Sequence, residues 1–207
     1  MPESPTITAV IFDMGGVLVD LGPLNELFGS TPDLTTDEFL SQWLASPAVR
    51  SFERGQCSPE DFADELIVEL NLSIGAAEFL DRFAAWPKGL MAGAAQMVAG
   101  LKNRVDTAVL SNTSALHWQT QVDAAKIQAL FDRRYLSFEM GLGKPDPEIF
   151  NVAISDLDRP ASEVLFLDDN QINVDAARAL GITAELTRGV TAANEVLDSH
   201  GLGRDLA

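Results

Sequence analysis

Residues 6–16, TITAVIFDMGG, decide the fold. The run Thr6-Ile7-Thr8-Ala9-Val10-Ile11-Phe12 is β-rich and becomes almost wholly apolar, as a central strand covered on both faces must be. It stops at Asp13, and Met14-Gly15-Gly16 signals a turn. Two later stretches repeat the design. Thr107-Ala108-Val109-Leu110 runs into Ser111-Asn112-Thr113, and Val164-Leu165-Phe166-Leu167 runs into Asp168-Asp169-Asn170. Each short apolar strand ends abruptly in polar residues and then opens a helical pattern. Thr183 to Leu186 reads as a fourth strand. Strands alternating with helices predict a parallel sheet of α/β type. Such sheets bind ligands at the carboxyl ends of their strands. Asp13, Ser111, Asp168 and Asp169 are therefore expected to converge from three distant parts of the chain.

Composition narrows the partners. The chain has 207 residues, enough for one large domain or a core carrying a small insert. Hydrophobic residues are 46% and charged residues 22%, which suits a packed core and excludes wholesale disorder. Lys plus Arg is 14 and Asp plus Glu is 31, a net charge of −17. Nucleic-acid phosphates and an anionic membrane surface would both meet a repulsive field. A small anionic substrate needs a local cation in its site. Cys57 is the single cysteine, so no intramolecular disulfide forms. Met1 to Pro5 carries no signal-peptide pattern, and Leu90 to Leu101 is too short to cross a bilayer. The chain reads as a soluble cytoplasmic protein, a monomer or a homodimer.

Between the first two strands the character changes. From Pro23 to Trp86 the pattern is helical. Thr35-x-x-Glu38 is a capping box before Phe39, Leu40, Trp43 and Leu44. Ser46-Pro47 starts a second helix that closes at Gly55, and Ser58-Pro59 starts a third with Phe62, Leu66, Ile67 and Leu70 on one stripe. Ser73 caps a fourth that runs to Trp86. Pro87-Lys88-Gly89 marks the return to the core. Four short helices after the first strand read as a lid.

The strand ends carry the chemistry. A carboxylate such as Asp13 at the end of a buried strand needs a charged or hydrogen-bonding partner. Asp168-Asp169 repel each other, and a divalent cation resolves that repulsion; Mg²⁺ favours carboxylates with water and phosphate oxygens. Gly143-Lys144-Pro145-Asp146-Pro147 pins a lysine in a stiff loop, which suits a point charge aimed at a phosphate. Ser111-Asn112-Thr113 offers donors at a strand-to-helix turn. Read singly, each has a plainer account: a turn-initiating Asp, an acidic helix N-cap, a surface-loop lysine, a capping serine.

Taken together, strand-Asp, strand-Ser, Lys and strand-Asp-Asp stand in an order that resembles the haloacid dehalogenase superfamily. The resemblance covers nearly the whole chain, and the helical insert matches the family's type-1 cap. Val109 to Thr113, Tyr135-Leu136-Ser137 and Phe166 to Asn170 look like its small bacterial phosphatases, sugar-1-phosphate phosphatases among them. It implies a Rossmann-like parallel sheet from residues 1–20 and 88–207, with residues 21–87 as a small inserted α-helical cap. It also implies a Mg²⁺-dependent phosphomonoesterase acting on a small phosphorylated metabolite, with sugar phosphates among the candidates. Asp13 would be the nucleophile, carrying an aspartyl-phosphate. Ser111 would hold the phosphoryl group, and Asn112 would position it or the leaving oxygen. Lys144 would offset charge. Asp13, Asp169 and the Gly15 carbonyl would hold Mg²⁺, with Asp168 binding directly or through water. Asn173 stands where many relatives carry a further acid.

One departure matters. Most phosphatases of the family carry Asp two residues after the nucleophile, as general acid and then base. Here that residue is Gly15, which donates no proton. Asp20 and His117 are the nearest substitutes, each with an ordinary structural reading. In the cap, Arg54 of Phe52-Glu53-Arg54-Gly55 is a candidate substrate contact, while Trp43, Trp86, Trp118 and Cys57 read more simply as packing residues. Two rivals stand: a metal-independent dehalogenase, opposed by the paired acids, and a catalytically weak binding protein, favoured by Gly15 alone.

Overall fold

The computed structural model describes residues 6–28, 36–120 and 124–203. β1 (Ala9–Phe12) and β2 (Val19–Leu21) lead into α1 (Leu24–Phe28), α2 (Thr36–Ala45), α3 (Pro47–Glu53), α4 (Pro59–Glu69) and α5 (Ala76–Ala84). β3 (Pro87–Leu90), α6 (Ala94–Ala99), β4 (Asp106–Ser111), α7 (Ala115–Thr120), α8 (Ala124–Leu130), β5 (Arg133–Leu136), α9 (Ser137–Met140) and α10 (Pro147–Leu157) follow. A 3₁₀ turn (Ala161–Glu163), β6 (Val164–Asp168), α11 (Gln171–Ala179), β7 (Thr183–Leu186) and α12 (Gly189–Ser199) complete it.

The core is a five-stranded parallel sheet in the order β5-β4-β1-β6-β7, the expected α/β, Rossmann-like architecture. Strand alternation feeds two separate cores. Ala9 and Ile11 of β1 join Ala108, Leu110, Val164 and Phe166 against Ile149, Phe150, Ala153, Val174 and Ala177 of α10 and α11. Val10 and Phe12 join Leu165 and Leu167 against Ala94, Met97 and Val98 of α6 and Ala193 and Leu197 of α12. A strand buried on both faces needs a near-continuous apolar run, which is why β1, β4 and β6 read so plainly in the sequence. The edge strand β5 does not: Arg133 and Arg134 are exposed and only Tyr135 and Leu136 are buried.

Register fixes where the chemistry lies. Phe12 pairs with Val109 on one side and Leu167 on the other, so Asp13 lies beside Asp168 at the carboxyl edge and Ser111 one residue further along β4.

β2 and β3 form a short antiparallel ribbon, Val19 opposite Leu90 and Asp20 opposite Gly89, through which the chain leaves and re-enters the core. The sequence pattern held no strand signal there. Trp86 closes the ribbon by donating its indole N–H to the Gly22 carbonyl. The inserted helices share an aromatic core in which Phe52 stacks on Phe62 at 4.2 Å, with Trp43, Phe79, Phe83 and Trp86 around them. Ser46 and Ser58 cap α3 and α4 as expected, accepting from Val49 and Asp61 N–H at 3.2 and 3.1 Å, each with proline in the first turn. The last helix of the insert departs from expectation. Its N-cap is Gly75 rather than Ser73, and it ends at Ala84. α1 precedes the four helices read from the sequence. Thr35 of the capping box lies outside the described residues. Among the described residues no helix is long and apolar enough to cross a membrane.

Candidate active site

Asp13 follows β1 directly, and its backbone N–H donates to the Leu167 carbonyl at 2.8 Å, locking it to the β6 edge. Oδ1 of Asp13 accepts from the Met14 N–H at 2.7 Å and lies 2.8 Å from the Lys144 ammonium. Lys144 is 1% exposed at its side chain and also donates to Asp168 Oδ2 at 2.7 Å. Asp168, fully buried, spends its other oxygen on the Asn170 N–H at 2.8 Å and the Asn173 amide at 3.0 Å. Asp168 is thus committed to orienting Lys144 and the β6–α11 turn. Asp169 is the freer acid.

Gly16 makes room for Asp169. Its φ is +72°, and a Cβ built there would stand 2.2 Å from Asp169 Oδ2. Both the backbone angle and the approach of the carboxylate therefore require glycine.

Ser111, at the end of β4, is buried and lines the same cavity as Asp13. Asn112 is engaged differently from expectation. Its Oδ1 accepts from Lys144 N–H at 2.8 Å and its amide donates to the Lys144 carbonyl at 2.9 Å, so the side chain clamps the lysine loop at both ends of one residue. The turn before α7 is held in turn by Ser137, whose hydroxyl accepts from Thr113 N–H and donates to Thr113 O, both at 2.9 Å.

The electrostatics are those of an acid cluster short of cations. Burial, reinforced by Asp168 and Asp169, pushes Asp13 up to about 8 against the opposing pull of Lys144. Burial and Asp168 push Asp169 to about 6. Burial works against charge on Lys144, but Asp13 and Asp168 overcome it and hold the ammonium charged above its usual range. Ligand oxygens of Asp13, Asp168 and Asp169 all lie within 4.8 Å of one another. A hard, all-oxygen set of this kind, crowded enough to resist ionisation, fits a divalent cation such as Mg²⁺. Asn173 Oδ1 adds a buried acceptor that has no partner among the described residues.

The cavity above these residues is about 140 Å³. Its floor is Asp13, Gly15, Ser111, Lys144, Asp169 and Asn173; its upper wall is Leu21, Trp43, Leu44, Phe83, Trp86 and Pro87. Glu53, His117, Asn112, Thr113 and Asn170 add polar groups to the lining. His117 stacks on Phe83 at 3.9 Å and its Nε2 lies 2.7 Å from the Phe83 carbonyl. A carbonyl only accepts, so Nε2 carries the proton. Burial holds the imidazole down to about 4, so it is neutral at pH 7.

Several candidates fall elsewhere. Arg54, expected at the substrate, is absent from the cavity wall; its guanidinium pairs with Asp146, which also meets Arg50 at 3.0 Å, tying the insert to the lysine loop. Asp20 is exposed on β2. Trp118 lies under Arg134, away from the wall, and Cys57 packs beside the aromatic core of the insert. Trp43 and Trp86 serve both that core and the wall.

Glu53 went unnoticed in the sequence, although its position held a signal. It is the last residue of α3, where the helix dipole favours a cation. An acid that opposes a local rule marks a position held for another reason.

The family model for haloacid dehalogenase-like hydrolases matches residues 7–181. The chain belongs to that family and is a hydrolase of it. Among curated proteins, it is 30% identical over 186 residues to a sesquiterpene phosphatase of Aspergillus oryzae, covering 86% of this chain and 88% of that one. It is 25% identical over 183 residues to a D-ribitol-5-phosphate phosphatase of Bacteroides thetaiotaomicron, covering 84% and 89%. The fold matches a haloacid dehalogenase family enzyme from B. thetaiotaomicron, solved with magnesium and inorganic phosphate, at a TM-score of 0.68 and 23% identity over 88% of this chain and 94% of that one.

Proposed function

We propose that this hydrolase is a Mg²⁺-dependent phosphomonoesterase that works through an aspartyl-phosphate on Asp13. The observation that carries the reading is Lys144 held between Asp13 and Asp168 while Asp169 brings a third carboxylate within 4.8 Å of them, and burial and Asp168 raise its pKa despite the opposing charges of Lys144 and Arg188. A metal-free dehalogenase has no use for that third acid. Asp13, Asp169 and the Gly15 carbonyl would hold the ion, with Asp168 aligning Lys144. Bound Mg²⁺ supplies positive charge that draws the phosphoryl group in and stabilises its transfer.

The residues of the chain do the rest. Met14 N–H and Lys144 occupy Oδ1 of Asp13, leaving Oδ2 to attack phosphorus. Lys144 and the Ser111 hydroxyl steady the phosphoryl oxygens as the ester P–O bond breaks. Water then hydrolyses the aspartyl-phosphate and regenerates Asp13.

The wall favours an organic group that is largely apolar. A polyol needs several donors and acceptors; on the insert side of the wall Glu53 is the one ionisable group among the described residues, while the His117 ring N–H is taken by Phe83 and the Asn112 side chain already bonds Lys144. Leu21, Trp43, Leu44, Phe83 and Trp86 offer hydrocarbon instead. The phosphatase relative named for a sesquiterpene substrate supports this choice over the polyol phosphate named for the other.

A screen of phosphate monoesters with and without Mg²⁺ tests the reading. Activity is expected only with Mg²⁺, and the ion should raise the melting temperature by mass action. Across n-alkyl phosphates kcat/KM should rise by up to about fourfold per methylene, the worth of burying one CH₂ at about 0.8 kcal/mol, until the wall is covered. Melting and activity both unchanged at millimolar Mg²⁺ would remove the metal site.

Gly16→Ala should erase the response to the ion. The new methyl must displace Asp169 and strain the backbone by roughly 1–2 kcal/mol. The added strain lowers the melting temperature of a domain this size by about 2–8 °C. A variant that melts like the parent, with its Mg²⁺ shift intact, contradicts this.

A further inference from the structure

We infer that Glu53, carried into the cavity on the C-terminal residue of α3, is the general acid and then the general base that Gly15 does not provide. This rests on the phosphomonoesterase reading. The geometry begins with α3 itself. Beyond Glu53 the chain turns through Gly55 at φ +68°, where a Cβ would stand 2.8 Å from the Phe138 carbonyl, so the end of α3 sits directly on α9 of the core. Arg50 and Arg54 on the same helix end grip Asp146 of the lysine loop. Three contacts thus hold the end of α3 against the core, with Glu53 lining the same cavity as Asp13.

Around the carboxyl, Trp43 and Asn112 donate hydrogen bonds, and Lys144 and Arg54 contribute positive charge. Asn112 is the residue that clamps the Lys144 backbone, so Glu53 and Lys144 share a rigid neighbour. Asp13 and Asp169 face the same space from the core, and neutral His117 from α7. The other candidates for proton donor drop out: Asp20 is exposed off the cavity and His117 holds its Nε2 proton on Phe83. Burial outweighs those donors and cations and brings Glu53 up to about 7 from the usual carboxyl range. A group that titrates near working pH can both give and take a proton.

The balance closes over two steps. As Asp13 Oδ2 bonds to phosphorus, the ester P–O pair leaves on the organic oxygen and takes the Glu53 proton. The Glu53 carboxylate then accepts a proton from the water that attacks the aspartyl-phosphate, and both acids return to their starting state.

Glu53→Gln tests this on a series of phosphate esters graded by leaving-group basicity. For simple alkyl phosphates kcat/KM should fall by 10²–10⁴-fold, the usual worth of a general acid. For p-nitrophenyl phosphate, whose leaving group needs no proton, kcat/KM should fall less than tenfold. The variant should release a burst of nitrophenol before a slow steady state, because hydrolysis of the aspartyl-phosphate has lost its base. With alkyl esters the wild type requires the protonated acid, so kcat/KM declines as pH rises through about 7, and that decline should vanish in the variant. Gly15→Asp added to Glu53→Gln should restore alkyl esters by tenfold or more. Gly15 lies outside the left-handed region, and the nearest atoms to its new Cβ belong to the flexible Leu21 side chain, Cδ1 at 3.3 Å. Equal losses on alkyl and aryl esters, with the pH profile unmoved, would make Glu53 a structural residue and overturn the role. A wild type inert toward the whole series with Mg²⁺ would overturn the phosphomonoesterase reading and the role together.

Discussion

Asp13→Asn is expected to abolish turnover, by on the order of 10⁴-fold or more, while the fold survives. Removing a covalent nucleophile takes away a reaction path, not merely one stabilising contact. The amide keeps the shape of the carboxyl and an oxygen that can still accept from Met14 N–H and Lys144. Lys144 also retains Asp168 at 2.7 Å, so the buried ammonium is not stranded. The substitution even relieves the repulsion by which Asp168 and Asp169 disfavour charge on Asp13. Melting in the absence of Mg²⁺ should therefore be unchanged or slightly higher, and the rise on adding the ion should shrink. Steady-state rates and paired thermal melts check both halves. Activity within tenfold of the parent would take the nucleophile's role from Asp13.

Lys144→Met should be the most damaging single change to stability. The methionine fills the space of the lysine stem but leaves Asp13 and fully buried Asp168 without their cation. Breaking a buried pair in this way costs about 3–5 kcal/mol. At 2–4 °C per kcal/mol for a domain of this length, melting falls by about 6–20 °C. The sign with pH is definite. Lys144 draws the Asp13 pKa down, so without it that carboxyl titrates above its present value of about 8, further above its unfolded value of 3.8. A group whose folded pKa is raised takes up protons on folding, so the variant loses stability as pH rises and regains some of it toward acid pH. Activity should disappear over the whole range. Melting temperatures of parent and variant measured from pH 6 to pH 10 check the prediction: the gap should widen above about pH 8, where Asp13 ionises in the parent but not in the variant, and a gap that stays constant through that range would mean that Lys144 does not neutralise Asp13.

Parts of this molecule stand plainly in its sequence because one physical constraint acts on each residue. The middles of β1, β4 and β6 are buried on both faces, so an apolar run had to lead up to the edge, and the polar residue that ends each run marks the site. Ser46-Pro47 and Ser58-Pro59 announce helix starts because capping is satisfied within four residues. β5 and the β2–β3 ribbon were hidden for the opposite reason. Their strands are short and partly exposed, and hydrogen bonding to distant partners, not local preference, holds them extended. Likewise the Ser73 start yielded to Gly75, where the backbone turns into α5 without a side-chain cap.

By itself the sequence determined the α/β core, the helical insert, and the meeting of Asp13, Ser111, Lys144, Asp168 and Asp169, since strand ends in a parallel sheet converge whatever the loops do. Tertiary structure alone decided how each group is used. It committed Asp168 to Lys144, turned Asn112 into a clamp on the lysine loop, and drew Arg54 away to Asp146. It also brought Glu53 of the insert to the cavity that Asp13 lines from the core. Those assignments depend on distances between segments 24 to 92 residues apart. A side chain's hydrogen-bond partners and its loss of solvent come into being only when those segments pack together.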